Sequence, residues 1–299
     1  MAELRLGILG MSEGNGHPYS WSAIFNGYEP TTMADCGFPG IPIYLAKQKF
    51  PDDRIAGARV THVWTQDALL SQHISNATYI DTVVPSPEDM IGAVDAVLLA
   101  RDDAENHRQF ADPFLAAGLP VYVDKPFAHS RRAAEAFFSQ EVRDAQIFSC
   151  SALRFAQEML VPSEELARIG GVTRISAQVP KSWTKYAIHV IDPILANCGK
   201  LPAVNDARVR KFGTENDCTE VSFAWDGGER TCQITAFGRE PSPISVSYSG
   251  PGGTIRTEFA DSFAAFKRAL CVFLEDSVIG RHSHAAQILD AIDILELGT

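Results

Sequence analysis

The chain predicts an α/β fold in two parts: a doubly wound domain built on a parallel sheet, then an α+β domain with a large, mostly antiparallel sheet. Three observations predict it. In the first half, short apolar runs alternate with helical patterns, which is the order of βαβ units. One of those runs, VDAVLLA at 94–100, is apolar throughout after Asp95, as a strand buried on both faces must be. In the second half the strands alternate in polarity and are separated by tight turns, as in a sheet with one buried face. The change of character falls near residue 151, so the first domain is expected over residues 1–151 and the second over 152–299.

Each element has its own warrant. LRLGILG (4–10) is a strand ending in glycine, and ARVTHVWT (58–65) is rich in β-branched and aromatic residues. PVYVD (120–124) and AQIFSCS (145–151) complete the first sheet. In SPED (86–89) a Ser precedes a Pro, and an acid stands three residues after the Ser, which marks a helix start. Residues 105–117 read as a helix stopped by Gly118 and kinked by Pro113. In the second half, VTRISAQV (172–179), CTEVSFAW (218–225), TCQITAF (231–237), ISVSYS (244–249) and GTIRTEF (253–259) read as an antiparallel meander with turns at DGGE and GPGG. Two helices come after it. Phe263, Phe266, Leu270 and Phe273 form one apolar stripe, and Ile288, Ile292 and Leu295 the next.

Composition excludes several function classes. A net charge of −11 argues against nucleic acid or an anionic membrane surface as a partner. No apolar run approaches the roughly 18 residues that span a bilayer. The opening MAELRLGILGMSEGNG lacks the apolar region of a signal peptide. Cys36, Cys150, Cys198, Cys218, Cys232 and Cys271 form no C-x-x-C pair, so neither a zinc site nor a disulfide framework is indicated. His282 and His284 have no Cys or acid cluster beside them, and no metal is expected there. The expected setting is cytoplasmic, with no membrane and no nucleic-acid partner.

After the first strand comes GILGMSEGNGHPYSW, with glycines at 7, 10, 14 and 16. A dinucleotide fold needs glycine here for a tight turn and for close approach of the backbone to a pyrophosphate at a helix N-terminus. The spacing is longer than G-x-G-x-x-G, and the helix is expected to begin near Ser20. In this reading Gly10, Met11, Ser12, Asn15 and Gly16 face the cofactor, with His17, Tyr19 and Trp21 just beyond. The fingerprint also asks for an acid at the end of the second strand, to hold the ribose hydroxyls. Thr65 stands there instead, with Asp67 two residues later. A neutral Thr neither repels nor strongly binds a 2′-phosphate, so the cofactor is NAD or NADP.

VDAVLLARDDAENHRQFADPFLAAGLPVYVDKPFAHS resembles the Gfo/Idh/MocA family, the glucose–fructose oxidoreductase and inositol dehydrogenase group. In that family a strand of this kind leads to a His that opens a helix, then a small-residue turn, a strand and Glu-Lys-Pro. Here these are His107, Ala116-Ala117-Gly118 and Asp124-Lys125-Pro126. Asp for Glu keeps the carboxylate and shortens it by one methylene. SALRFAQ (151–157), with Arg154, is similar to the family's crossing into its second domain. YAIHVIDPILANCG (186–199) is similar to its D-x-x-x-H-x-x-D helix, with His189 at the catalytic His and Asp192 at the later acid. Two departures stand out. Lys185 replaces the Asp four residues before the His. The segment leading to that helix is short, so residues 29–45 are the candidate for part of the substrate wall.

The resemblance implies a Rossmann-type domain followed by an open-sheet domain that makes oligomer contacts, as a homodimer or homotetramer. It implies hydride transfer between a nicotinamide cofactor and a carbinol or carbonyl of a sugar, polyol or sugar acid. Lys125 leaves its strand at the carboxyl end, where ligands of parallel sheets bind, and burial there suits it to proton transfer. Lys125 and His189 are the implied catalytic pair. Ala100, Arg101, His107, Asp124 and Lys125 join the glycine loop and Thr65 as cofactor residues. Arg154, Trp183, Lys185, Tyr186 and Asp192 are the substrate candidates, with Trp183 and Tyr186 offering a stacking face. The alternative is a non-catalytic NAD(P)-binding regulator on the same fold, favoured by the missing Asp and the irregular glycine loop.

Overall fold

The computed structural model describes residues 3–201 and 204–299. Contacts divide the chain into two units. One comprises Met1–Phe127, Ala136–Ser149 and Ser262–Ala285; the other comprises Ala128–Glu135, Cys150–Asp261 and Ala286–Thr299.

The first unit is built on six parallel strands: β1 (Leu4–Leu9), β2 (Ala58–Trp64), β3 (Thr82–Val83), β4 (Ala96–Leu99), β5 (Val121–Val123) and β6 (Ile147–Phe148). Their order is β3-β2-β1-β4-β5-β6, the Rossmann arrangement anticipated from the apolar runs. The order reverses between β1 and β4, and the carboxyl ends of those strands open the crevice where such sheets bind ligands. Leu6, Ile8, Val97, Leu98 and Val121 are wholly buried, because helices cover both faces. Those helices include α1 (His17–Asn26), α4 (Ala68–Thr78) and α5 (His107–Ala116). Between α1 and α4, the connection over residues 27–57 carries two short helices, α2 (Pro30–Ala34) and α3 (Gly40–Leu45). α1 begins at His17, not near Ser20, because Pro18 in its first turn needs no hydrogen-bond partner for a missing N–H. The SPED segment forms a single 3₁₀ turn, Pro87–Met90, with the Ser86 N–H donating to the Asp89 carboxylate at 3.1 Å. The next helix in the chain is α6 (Arg131–Phe138).

The second unit holds α7 (Ser163–Arg168), β7 (Arg174–Val179), α8 (Trp183–Tyr186), α9 (Ile188–Cys198) and five more strands. These are β8 (Asn205–Phe212), β9 (Cys218–Trp225), β10 (Arg230–Ala236), β11 (Ser245–Gly250) and β12 (Gly253–Glu258). The sheet order is β12-β11-β7-β10-β9-β8. It is antiparallel except where β10 runs parallel to β7, so it is not the simple meander that the alternating polarity predicts. β8 has no counterpart among the predicted strands.

Of the two late helices, α10 (Ser262–Phe273) falls in the first unit, and α11 (Ala285–Glu296) lies almost wholly in the second. The sequence predicts residues 152–299 as one domain; residues 262–285 group with the first unit instead. There Phe273 closes an aromatic cluster with Tyr122 and Phe148, and Tyr122 stacks on Trp21 at 4.7 Å. Among the described residues no helix is long and apolar enough to cross a membrane, and no group of three His, Cys, Asp or Glu side chains is placed to hold a metal ion.

Candidate active site

The carboxyl end of β5 gathers the first unit's polar groups. Asp124 is 1% exposed, and both its oxygens are engaged. Oδ2 accepts from Asn15 Nδ2 at 2.7 Å and faces His17 Nδ1 at 2.5 Å; Oδ1 accepts the Lys125 amide at 2.7 Å. Burial pushes this carboxyl up, but the charges of His17 and Lys125 and the hydrogen bonds from His17 and Asn15 hold it down to about 2. Asp124 therefore anchors the β1–α1 loop, and both its oxygens are already committed within the protein. The Lys125 ammonium is also buried and lies 3.7 Å from Asp102, which in turn accepts from Ser12 Oγ at 2.6 Å. The three strand ends at β1, β4 and β5 are thus tied through Asn15, His17, Ser12, Asp102, Asp124 and Lys125.

A second cluster surrounds Met11. Its amide donates to Gln66 Oε1 at 3.0 Å, and its carbonyl accepts from Gln66 Nε2 and Arg101. Arg101 forms a bidentate pair with Asp103, at 3.0 and 2.6 Å, and its guanidinium lies over the Phe110 ring. Burial works to raise the Asp103 carboxyl, but Arg101 and Asn106 hold it below its ordinary range. Ala100 is buried, with its amide on the Leu9 carbonyl at 2.7 Å.

Several residues assigned from the sequence take different roles. Thr65 turns inward: its hydroxyl donates to the Asp67 carbonyl at 2.6 Å and meets Ser71, which leaves the exposed Gln66 at the tip of β2. His107 is wholly buried, its ring nitrogens on the carbonyls of Arg101 and Phe127 at 2.7 and 3.2 Å. It fastens the segments after β4 and β5 to each other and has no surface to offer a cofactor. Two of the glycines answer to packing: a Cβ at Gly10 would lie 2.4 Å from Pro18, and one at Gly16 2.7 Å from Phe38 and Ile41. Gly14 alone of the three has open space around it, with φ +78°. Gln66 and Asp102 escape motif matching; their position just past the ends of β2 and β4 is the signal that marks them.

The second unit arranges its candidates around Ser151. The Ser151 amide donates to Asp192 at 2.5 Å, and its hydroxyl meets His189 Nδ1 at 2.8 Å. Arg154 lies 3.4 Å from the buried Asp192. Burial pushes the Asp192 carboxyl up, partly offset by Arg154 and the Ser151 amide. His189 packs edge-on against Tyr186, over whose ring lies Lys181. Trp183 is a correction: it is 2% exposed and its indole N–H donates to the Leu295 carbonyl at 2.8 Å, so it is a core residue with no free stacking face. Lys185 occupies the last turn of α8, half-buried.

Residues 43–150 match the sequence model of the Gfo/Idh/MocA oxidoreductase family's NAD-binding Rossmann fold. The chain thus carries, over that stretch, the nucleotide-binding fold that its motifs resemble. Among solved structures, scyllo-inositol dehydrogenase from Lactobacillus casei with bound NAD(H) and scyllo-inositol is similar at TM-score 0.71 and 13% identity, covering 98% of this chain and 95% of that one. Myo-inositol 2-dehydrogenase from Lactobacillus plantarum is similar at 0.72 and 13%, covering 98% and 95%. UDP-N-acetylglucosamine 3-dehydrogenase from Acidithiobacillus ferrooxidans is similar at 0.69 and 13%, covering 99% and 96%. Among curated proteins none matches the sequence.

The β1–α1 loop fits a dinucleotide's pyrophosphate. Among the described residues no acceptor takes the amide N–H groups of Ser12, Glu13 or Gly14, and the space over Gly14 is open. Unpaired backbone donors ahead of a helix N-terminus are the donor set that an anionic group requires.

Proposed function

We propose that the protein is an NAD(P)-dependent oxidoreductase that moves a hydride between a nicotinamide and the carbinol or carbonyl carbon of a small, hydroxylated substrate. The observation that carries this reading is Lys125, buried at the carboxyl end of β5 with Nζ 3.7 Å from Asp102. NAD, when bound by the loop amides of residues 12–14, supplies the hydride acceptor. The chain supplies the rest. As the neutral amine, Lys125 takes the proton that the carbinol hydroxyl loses as its carbon is oxidised, and as the ammonium it returns that proton in the reverse direction. Asp102 holds the lysine in the crevice, and Asp124 fixes the loop that carries the amide donors. His189, oriented by Ser151, is a further candidate for proton transfer, carried by the family resemblance. The family's relatives make sugars, polyols and sugar derivatives the first substrates to screen.

The test is Lys125→Ala, assayed for NAD⁺ reduction over a panel of polyols, sugars and sugar acids. Loss of proton transfer should lower kcat by about 10²–10⁴, with dinucleotide binding retained. Turnover equal to wild type would remove Lys125 from the mechanism. Dinucleotide binding with no turnover on any alcohol would favour a regulator over an enzyme.

A further inference from the structure

The first unit contains a cavity of about 510 Å³, wide open to the surface, that the motifs do not account for. Its walls come from the start of α1, the Gly37–Tyr44 segment and α10. Phe38, Pro39, Ile41 and Phe266 make it largely apolar, and its polar side chains are few: His17, Ser20, Tyr44 and Ser262. No Asp, Glu, Lys or Arg lines it.

Two of those polar groups are set to receive a ligand. Asp124 engages His17 Nδ1 at 2.5 Å, and a carboxylate acceptor there places the imidazole proton on Nδ1. Among the described residues nothing bonds to Nε2, which is left to pair with a ligand in the cavity. The ring is held in place by stacking on Trp21 at 4.9 Å and by the edge contact with Phe266 at 5.0 Å. The Tyr44 hydroxyl is the complement. It is buried, near Ser20 but without a hydrogen bond of normal geometry, because the Ser20 hydroxyl is turned to the His17 carbonyl at 3.4 Å. A ligand oxygen would give that buried hydroxyl the partner it lacks.

We propose that this cavity binds an uncharged alcohol with an apolar ring or chain, its hydroxyl hydrogen-bonded to His17 Nε2 and to the Tyr44 hydroxyl. An acid or an amine would enter a cavity with no charged side chain in its lining, and a fully hydroxylated ring would leave most of its hydroxyls against Phe38, Ile41 and Phe266. The proposal goes beyond the dehydrogenase reading and does not rest on it: Lys125 does not line this cavity, so the alcohol held by His17 and Tyr44 is not the one that Lys125 deprotonates. Binding itself is measured without cofactor, so failure of the one reading is distinguishable from failure of the other.

The experiment is an imidazole ¹H–¹⁵N NMR titration of the histidine-labelled, cofactor-free full chain with cyclohexanol, and separately with myo-inositol and cyclohexanecarboxylate. His17 is assigned by the loss of its signal in His17→Gln. The expected result is a saturable shift at His17 Nε2 with cyclohexanol and a much weaker one with the other two. Tyr44→Phe should weaken cyclohexanol about fivefold, the loss of one neutral hydrogen bond. Gly40→Leu guards against a misfolded variant: a Cβ at Gly40 meets open space, so the added side chain fills the cavity without a backbone clash and should abolish the shift. A His17 signal unmoved by cyclohexanol, or Tyr44→Phe and Gly40→Leu binding it as wild type does, would overturn the proposal.

Discussion

His17 and Asp124 lie 107 positions apart in sequence and meet with Nδ1 and Oδ2 at 2.5 Å, with Asn15 on the same carboxylate oxygen. This pairing turns a strand-end acid into the fastener of the β1–α1 loop. It predicts an acid limb in the stability of the protein. The Asp124 carboxyl, ordinarily at 3.8, is held down to about 2, so its contribution is full above 3.8 and is lost as the pH falls through about 2. The size is about 2 kcal/mol, since one pKa unit corresponds to about 1.4 kcal/mol. Urea denaturation between pH 5 and 2 checks it, and Asp124→Asn should flatten that limb and lower stability at neutral pH.

His107 gives a second limb. Burial holds its imidazole below the ordinary 6.5. The unfolded chain therefore takes up the proton first, and stability is full above 6.5 and declines as the pH drops below it, by at most about 1.4 kcal/mol per pH unit. His107→Phe removes that dependence but leaves the carbonyl served by the neutral ring's single N–H, that of Arg101 or Phe127, without its donor. A loss of about 2–4 kcal/mol is expected, read as a fall in the denaturation midpoint.

The loop glycines separate into two kinds by substitution. Gly16→Ala drives a Cβ to 2.7 Å from Phe38 and Ile41 and should cost about 1–3 kcal/mol. Gly14→Ala meets no atom and carries only the cost of the left-handed backbone, about 1–2 kcal/mol. If the amides of 12–14 bind the pyrophosphate, Gly14→Ala should weaken NAD binding beyond its small effect on stability. Calorimetric titration of the folded variant with NAD⁺ reads the two effects separately.

The parallel sheet is legible in the sequence because its central strands are buried on both faces, so AVLLA (96–100) and VYV (121–123) are continuous apolar runs. β8 is not, because NDARVRKF pairs only with β9 at the edge of its sheet and carries charges along its length. Nothing local distinguishes it from a solvated loop. The parallel pairing of β7 with β10 is a non-local choice that alternation within each strand does not encode. In the site, motif matching finds Lys125, Asp124 and the glycine loop. It does not find that Asp102 meets Lys125, or that His107 is spent on the Phe127 carbonyl, since those depend on contacts distant in sequence; Thr65 is spent locally, on the Asp67 carbonyl and the Ser71 hydroxyl. Pro18 is the missed local signal: a proline two residues after Gly16 marks the first turn of α1.

The most direct measurement is a thermal-shift titration with NAD⁺, NADH, NADP⁺ and NADPH against buffer. A ligand at about 100 times its dissociation constant adds about 2.7 kcal/mol to the folded state, a rise of several degrees for a chain of this size. The account predicts a saturable rise with NAD⁺ or NADH, one that survives Lys125→Ala. No shift with any of the four would contradict it, because the loop amides would then hold no dinucleotide and Lys125 would have no hydride acceptor to serve.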